Sequence, residues 1–317
     1  MTKLVTSVAA MQLVEQGKIK LDDDLSVLLP EMAKIPILKD GQLITAKKLI
    51  TLRHLLTHTS GFGYTTTDLE LSKFDRSKWP HKDLPRRFES GTQFLYGTSS
   101  DWAGRLVEKI SGMSLENYFQ KNITKPLQMK HTWFNVPDSL KPLIVSYGRR
   151  GDDGKQPLME SAGRLPSKRV NEYSGGAGLY SSPEDYSKLL QCLLNYGEWK
   201  GVRILKRKTV EDMGKNQIGE IVMYNPSAHF NPASCCNLNG ILSPTTKWSL
   251  DGLIDTEDKP YGRKAGTILW GGLLNTYFFI DYKSGIAASI YTQHLPFNHP
   301  ATTSLFEKFS EMIYTGQ

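Results

Sequence analysis

The sequence predicts a mixed α/β (α+β) protein, in which a sheet flanked by helices is joined to an all-helical subdomain. Two observations predict this class: helical periodicity and strand alternation fall in separate blocks, and the strand block lies near the C-terminus. The chain has 317 residues, 39% of them hydrophobic, which suffices to bury a full core. We expect a single domain over residues 1–317, with a mostly helical subdomain at about 20–200 and a C-terminal sheet and helix at about 245–317.

The first predicted element is a helix that is already under way at the first residue. Apolar residues form two adjacent rows at helical spacing, broad enough to be buried. The residues of these rows are Leu4, Val5, Val8, Ala9, Met11 and Leu13. No capping residue precedes the first apolar turn, although the first backbone N–H groups of a helix need a partner. Gly17 is expected to end this helix in a left-handed conformation.

Capping residues and glycines delimit the later elements. Thr51 is predicted to cap a short helix over 52–57, and Ser182 followed by Pro183 is predicted to start a helix that ends near Gly197. Further helices are predicted over 99–110, 114–125 and 302–312, two strands over 276–293 around a turn at 282–285, and a long irregular surface excursion over 135–175.

Charge and hydropathy restrict the classes of partner. The formal net charge of +7 is moderate, and the Lys and Arg residues are scattered rather than gathered in a stripe with aromatic residues between them. We therefore expect no nucleic-acid partner. No apolar run is long enough to cross a membrane, so no membrane partner is expected either.

The cysteines argue against a disulfide framework. Their number is odd, and Cys235 and Cys236 are adjacent, leaving Cys192 alone. This favours a reducing compartment, and we expect a cytoplasmic location. His229 is the nearest possible further ligand for a metal at the cysteine pair, and so few scattered ligands do not predict zinc.

Several common catalytic motifs are absent from the sequence, among them Gly-x-Ser-x-Gly, His-Glu-x-x-His, the phosphate loop and Cys-x-x-Cys. The glycine-rich run 175–178 is interpreted as a tight backbone packing site. His54 and His58 have metal-ligand spacing but no evident third ligand, and a structural role is favoured for both. The three aspartates at 22–24 are interpreted as a solvated turn rather than an acid pair.

Five blocks, in this order, resemble the serine β-lactamase and penicillin-binding superfamily. They read MTK, HLLTHTSGFGY, FLYGTSSDWAGRLVEKISG, GGAGLYSSPEDYSKLL and WGGLLNTYFFIDYKSG, and the resemblance runs from the first residue to about 291. It points to the esterase and transesterase branch, which includes class C β-lactamase-like esterases and a fungal acyltransferase of lovastatin biosynthesis. The resemblance implies an antiparallel sheet flanked by helices, and acyl transfer through an acyl-enzyme. It also implies a small-molecule ester or thioester substrate and no metal or organic cofactor.

In this superfamily the nucleophile is the serine of Ser-x-x-Lys, at the start of a buried helix. Lys3 matches the motif lysine, and the serine would lie immediately before Met1. We therefore expect that the natural protein extends upstream and that the chain as printed is inactive or very feeble. Loss of the family's first strands is expected to leave a sheet edge unpaired and apolar surface exposed.

The resemblance also assigns the groups that move protons. A serine hydroxyl needs a base, and a lysine serves as one only if burial lowers its pKa enough to leave it neutral. Lys3, on a buried helix, is expected to be this base. Tyr96 matches the tyrosine of the Tyr-x-Asn motif and is expected to relay the proton toward the leaving alcohol. The third motif position is Thr98, where the lactamases usually have Asn.

The strand motif bears on the substrate. Lactamases use Lys-Thr-Gly there, whereas the aligned residues here are Trp270, Gly271, Gly272 and Leu273. Trp270 cannot neutralise a carboxylate but can pack an acyl or ring system. The glycines let the backbone approach the substrate, and an N–H near Gly272 or Leu273 would complete the oxyanion hole with the serine's own N–H. A core tryptophan beside a strand bulge is the structural alternative.

Two other functions stay open from the sequence. A β-lactamase or D-Ala-D-Ala peptidase would need a lysine at this strand, and Lys264, in Lys-Ala-Gly-Thr, lies too far upstream. A catalytically dead family member would act as a binding module. Ser7 does not supply a nucleophile, because it lies one turn beyond Lys3 rather than one turn before it.

Overall fold

The structure, a computed structural model, describes residues 1–150, 159–160, 169–223, 242–250 and 252–316. His229, Cys235 and Cys236 lie outside the described residues, as does part of the excursion predicted over 135–175. Where that excursion is described, it contains a 3-10 helix, Asp138–Leu143, and two short strands.

Helix α1 (Thr2–Glu15) lies at the centre of the molecule. Eleven of its 14 residues are buried, so it is covered on nearly all sides rather than along one stripe. No side chain caps its first turn, and Gly17 follows its last turn with a φ of 70°. Both features were predicted. The helix packs against the two helices that precede the irregular region, and the residue before its first turn, Met1, lies beside a strand of the sheet.

The other helices begin and end largely where their capping residues predict. They are α2 (Pro30–Ala33), α3 (Leu52–Leu56), α4 (Leu69–Lys73), α5 (Ser99–Ser111), α6 (Leu115–Phe119), α7 (Pro183–Leu194), α8 (Arg207–Met213) and α9 (Pro300–Thr315). Thr51 caps α3, Ser182 caps α7, and left-handed Gly112 ends α5. A π-helix, Gln120–Thr124, continues α6, so the helix predicted over 114–125 is present but not regular.

Within the described residues, the strands form one principal sheet and three small ones. The strands are β1 (Ile37–Lys39), β2 (Gln42–Ile44), β3 (Gly148–Arg149), β4 (Met159–Glu160), β5 (Glu198–Trp199), β6 (Val202–Arg203), β7 (Lys247–Trp248), β8 (Leu253–Ile254), β9 (Ile268–Gly272), β10 (Thr276–Asp281), β11 (Ile286–Ile290) and β12 (His294–Leu295). The principal sheet is antiparallel, in the order β11-β10-β9-β8-β7. Helices with an antiparallel sheet confirm the predicted fold class.

Both faces of the principal sheet are covered. Strand β10 alternates, so that Phe278 and Ile280 join the main core with α1, while Tyr277 and Phe279 join a smaller cluster that includes Phe306 of α9. Helix α7 packs on β10 and β11 from the main-core side. Because each face is buried, the side chains of the central strands are held in register on both sides.

Strand β11 is an edge of the principal sheet: within the described ranges it pairs with β10 and with no other strand. Its five residues are half-buried. The division into a helical subdomain and a sheet subdomain stays a prediction. Among the described residues, no helix combines the length and the hydropathy that crossing a membrane requires.

Candidate active site

The loop after α3 fixes the position of the Tyr96 segment. The backbone N–H of Leu95 donates to the carbonyl oxygen of His58 at 2.9 Å. A Cβ atom on Gly97 would lie 2.2 Å from the carbonyl oxygen of Phe62, so this close approach of two backbones requires glycine. The loop 57–63 and the segment 94–97 are therefore packed backbone to backbone.

Lys3 and Tyr96, predicted as partners from distant parts of the sequence, lie together. The Lys3 Nζ atom is 4.8 Å from the centroid of the Tyr96 ring. It donates to the carbonyl oxygen of Gly176 at 2.8 Å and to the hydroxyl of Tyr64 at 3.4 Å. The Lys3 ammonium group therefore lies between the phenols of Tyr64 and Tyr96 and donates a hydrogen bond to the carbonyl oxygen of Gly176.

The run 175–178 packs tightly, as predicted, and also supplies that carbonyl. A Cβ atom on Gly175 would lie 2.2 Å from the carbonyl oxygen of Ser100 in α5. The Gly175 carbonyl oxygen accepts from the Thr6 hydroxyl at 2.7 Å, one turn after Lys3. The glycine run therefore fastens α1 to α5 and positions the Gly176 carbonyl for Lys3.

The expectation that burial leaves Lys3 neutral is wrong for this structure. Burial alone would lower the pKa of the Lys3 ammonium, but Tyr96, Tyr64 and the Asp101 carboxylate outweigh it and raise that pKa above its usual value. The Asp101 carboxylate is held in turn by the Ser174 hydroxyl and, at 3.4 Å, by the Gly176 N–H. Lys3 therefore carries a positive charge at neutral pH.

The hydroxyl of Tyr96 also has a partner on the sheet. The indole Nε1 of Trp270 donates to the Tyr96 hydroxyl oxygen at 2.9 Å, and the two ring centroids are 5.0 Å apart. Trp248 packs edge-on against Trp270 at 4.7 Å and donates its own Nε1 to the Leu56 carbonyl at 3.1 Å. The Tyr96 oxygen is therefore placed between an indole donor and a lysine.

We call the rings around Tyr96 the aromatic cluster; it consists of His58, Tyr64, Phe94, Tyr96, Trp248 and Trp270. Sequence reasoning missed His58, Tyr64 and Trp248 as members of the site. His58 and Tyr64 stand in the block HLLTHTSGFGY, whose resemblance could have indicated them. Trp248 belongs to no motif and becomes visible only through its packing.

Strand β9 brings Trp270, Gly271 and Gly272 to the cluster. Their pairing with Phe278, Tyr277 and Thr276 of β10 is continuous, so the bulge of the structural alternative is not present. Trp270 is buried, whereas Leu273 lies in the turn after β9 with 58% of its side chain exposed. Leu273 could thus contribute through its backbone, not through its side chain.

The backbone nitrogen of Met1 lies beside the same strand. A Cβ atom on Gly272 would be 3.6 Å from it, and the Met1 carbonyl oxygen accepts from the Tyr186 hydroxyl at 3.0 Å. The start of α1, with Lys3 as its second residue, and β9 therefore meet at one point.

A small pocket that is partly open to solvent lies at this point. Its lining combines apolar side chains with a few polar ones, a composition typical of small-molecule sites. The lining residues are Met1, Lys3, Leu4, Ser7, Leu56, His58, Ser100, Trp248, Leu250, Trp270 and Phe278. Within the part of the chain that the structure describes, no three His, Cys, Asp or Glu side chains are grouped to hold a metal ion.

Comparison with protein families agrees with this geometry. The family model described as Beta-lactamase matches residues 1–307. This chain belongs to the β-lactamase family. The match covers the segments that carry Lys3, Tyr96 and Trp270, and it confirms the resemblance drawn from the sequence blocks.

Curated relatives within the β-lactamase family include fungal acyltransferases and an esterase. The chain is 30% identical to monacolin J acid methylbutanoyltransferase of Aspergillus terreus, over 99% of this chain and 80% of the relative. It is 31% identical to a lovastatin esterase of Penicillium rubens, over 99% of this chain and 83% of the relative.

Among solved structures, unliganded simvastatin synthase from Aspergillus terreus superposes with a TM-score of 0.83 at 28% identity. The match covers 99% of this chain and 82% of that one. The β-lactamase fold and its acyltransferase and esterase branch, both predicted from sequence, are therefore confirmed.

Proposed function

We propose that this protein is a serine acyl-transfer enzyme that works through an acyl-enzyme, with small-molecule esters or thioesters as acyl donors. Water or a small-molecule alcohol is the acceptor, and the location is cytoplasmic. The observation that carries the proposal is the meeting of Lys3, Tyr96 and β9 at the backbone nitrogen of Met1. A serine at the position preceding Met1 would stand there, with Lys3 one helical turn away.

Charge determines the roles of the two proton-handling groups. Because its pKa is raised, Lys3 acts as an ammonium that stabilises negative charge on Tyr96 rather than as a free neutral base. The indole N–H of Trp270 stabilises the same oxygen by a hydrogen bond. With Lys3 as the ammonium, the pair accepts a proton only in the form in which the Tyr96 oxygen is a phenolate. This phenolate takes the proton of the attacking serine, and the phenol so formed returns it to the departing alcohol or thiol.

The acyl carbonyl develops negative charge when the serine oxygen bonds to its carbon. Backbone N–H groups are suited to hold this oxyanion because they are fixed before the reaction. We assign the N–H near Gly272 or Leu273 to this role, together with the serine's own N–H, because Gly272 lies beside the Met1 nitrogen. The acceptor, water or an alcohol, then attacks the acyl-enzyme carbonyl and loses its proton to the Tyr96 phenolate, which passes that proton to the serine oxygen as the bond between this oxygen and the acyl carbon breaks.

The relatives and the site support small-molecule esters as the substrate class. Two relatives are named for acyl transfer to monacolin J acid and for lovastatin ester cleavage. The buried indole of Trp270 offers no charge to a carboxylate but offers apolar surface to an acyl chain or ring. Esters and thioesters should therefore be turned over much faster than β-lactams.

The test compares two chains that differ in one atom of one side chain. The serine-preceded chain carries Ser directly before Met1, and the alanine-preceded chain carries Ala there. With an aryl ester and a thioester of a short acyl group, we expect turnover by the first and not by the second. Intact mass spectrometry should show one acyl group on the serine-preceded chain. Lys3→Ala in that chain should lower kcat by about 100-fold or more.

Two results would overturn the proposal. One is a serine-preceded chain that folds but neither turns over esters nor becomes acylated, which would favour a binding module. The other is ester turnover by the alanine-preceded chain that survives Lys3→Ala, because another nucleophile would then carry the reaction.

A further inference from the structure

We propose that His58 is a positioning residue for Tyr96: it fixes the backbone on both sides of this tyrosine and packs on its ring. The inference rests on the proposed function, in which Tyr96 handles the proton. His58 does not contact the reacting atoms in this scheme and acts through Tyr96 alone.

The hydrogen bonds of His58 flank Tyr96. Its carbonyl oxygen accepts from the N–H of Leu95 at 2.9 Å, and its Nδ1 accepts from the N–H of Gly97 at 3.4 Å. Leu95 and Gly97 are the immediate neighbours of Tyr96 in the chain. One residue therefore holds the peptide groups before and after the tyrosine.

The ring of His58 adds a third contact. Its centroid lies 4.5 Å from that of Tyr96 and 5.4 Å from that of Trp248, which in turn packs on Trp270. His58 is only 1% exposed and lines the pocket. Packing against His58 thus fixes one face of the Tyr96 ring, while the Tyr96 hydroxyl accepts a hydrogen bond from the Trp270 indole.

His58 adopts an unusual backbone conformation, with a φ of 55°. Few residues other than glycine adopt this left-handed region, although Asn, Asp and His do so several-fold more often than the rest. Gly and Asn are therefore replacements that this backbone conformation accepts.

The protonation state of the ring agrees with the role. Burial, and then the positive charge of Lys3, hold the pKa of His58 well below its usual value. The imidazole is therefore neutral at neutral pH, and Nδ1 remains an acceptor for the Gly97 N–H. A proton on Nδ1 would remove this bond.

His54 provides a matched control one turn earlier. Its Nδ1 accepts from the N–H of Thr51 at 3.2 Å in the capping box of α3. Both histidines accept a backbone N–H at Nδ1, but the described contacts of His54 do not include Tyr96. A general loss of stability would affect both sites, whereas loss of Tyr96 positioning would follow only from His58.

The experiment uses the serine-preceded chain with His58→Gly, His58→Asn and His54→Ala. Glycine removes the ring and the acceptor, whereas asparagine keeps an acceptor atom near the position of Nδ1. We expect His58→Gly to lower kcat about tenfold with KM nearly unchanged, because the proton relay is misaligned rather than the substrate site. His58→Asn should recover most of kcat, and His54→Ala should leave it unchanged.

A second readout does not need activity. The near-ultraviolet circular dichroism of each chain is compared with that of its Tyr96→Phe counterpart, which isolates the signal of the ordered Tyr96. We expect His58→Gly to lose most of this difference signal and His54→Ala to keep it. Should the serine-preceded chain have no turnover, the proposed function fails, and this spectrum alone decides the role of His58.

The inference is overturned by any of three results. The first is an unchanged kcat together with an unchanged Tyr96 signal in His58→Gly. The second is an equal loss of kcat in His58→Gly and His54→Ala. The third is an equal loss of kcat in His58→Gly and His58→Asn. The last result would show that the hydrogen bond to Gly97 does not position the tyrosine.

Discussion

At the scale of single residues, the charge of Lys3 depends on its neighbours more than on its burial. The lysine is partly buried on a buried helix, and burial alone would favour the neutral amine. Tyr96, Tyr64 and Asp101 come from other parts of the chain, and together they reverse the direction of the pKa shift. The chemical role of Lys3 thus changes from free base to charged partner of Tyr96.

Removal of the Tyr96 hydroxyl tests this role. In the serine-preceded chain, we expect Tyr96→Phe to lower kcat about 100-fold or more, because the group that takes and returns the proton is lost. The measurement is steady-state hydrolysis of an aryl ester. Tyr64→Phe is the matched control, since the Tyr64 hydroxyl meets Lys3 at 3.4 Å but has no indole donor among its described contacts. Equal losses in both variants would refute the distinction between these two phenols.

At the scale of elements, the turn between β9 and β10 sets where β9 ends. The N–H of Asn275 donates to the carbonyl of Gly272 at 2.9 Å, and Asn275 has a φ of 60°. Its fully buried side chain donates to the carbonyl oxygens of His294 and Pro296, each at 2.8 Å. Its Oδ1 accepts from the Tyr277 hydroxyl at 3.0 Å. This one side chain ties the tip of the hairpin to the segment before α9.

Truncation of Asn275 should destabilise the fold and loosen β9. We expect Asn275→Gly to reduce the free energy of unfolding by about 1–3 kcal/mol, because two buried carbonyls lose their donor. Asn275→Ala should cost about 1 kcal/mol more, since glycine tolerates the positive φ and alanine does not. Urea unfolding of the chain as printed measures both values. Equal stability of the alanine and glycine variants would contradict the conformational part of this account.

At the scale of the whole molecule, several wholly or partly buried histidines are neutral. Burial is the first cause of the lowered pKa of His54, His58 and His294, which lie in three different parts of the fold. Between their folded pKa values and the ordinary value of 6.5, the unfolded chain binds more protons than the folded chain. Their contribution to stability is therefore present above pH 6.5 and is lost as the pH falls below it.

The loss of this histidine contribution on acidification should be measurable as a fall in the midpoint of thermal unfolding. On going from about pH 7.5 to about pH 5.5, we expect the midpoint of thermal unfolding to fall by about 5 °C. The fall should be smaller in His58→Asn, which removes one of the titrating groups. A midpoint that rises on acidification in this range would refute the assignment of neutral buried histidines.

The limits of each secondary-structure element were largely predictable because they depend on local residues. The side-chain oxygens of Thr51 and Ser182 cap the first turns of α3 and α7, and the left-handed conformation of Gly112 ends α5. These signals can be read from neighbours in sequence. Helix α9 is longer than predicted, Pro300–Thr315, because Pro300 occupies its first turn. The π-helix after α6 was not predictable, since it has no comparable local signal.

The fold class and the family could be read from the sequence alone, because ordered blocks along the chain preserve the pattern of the family. The same blocks predicted Lys3, Tyr96 and Trp270 as residues of one site. Only the tertiary structure decided the sign of the Lys3 pKa shift, the hydrogen bond between Trp270 and Tyr96, and the place of His58. These properties depend on distances between residues far apart in the chain. Electrostatic and packing energies fall off over a few ångströms, and a sequence does not contain those distances until it is folded.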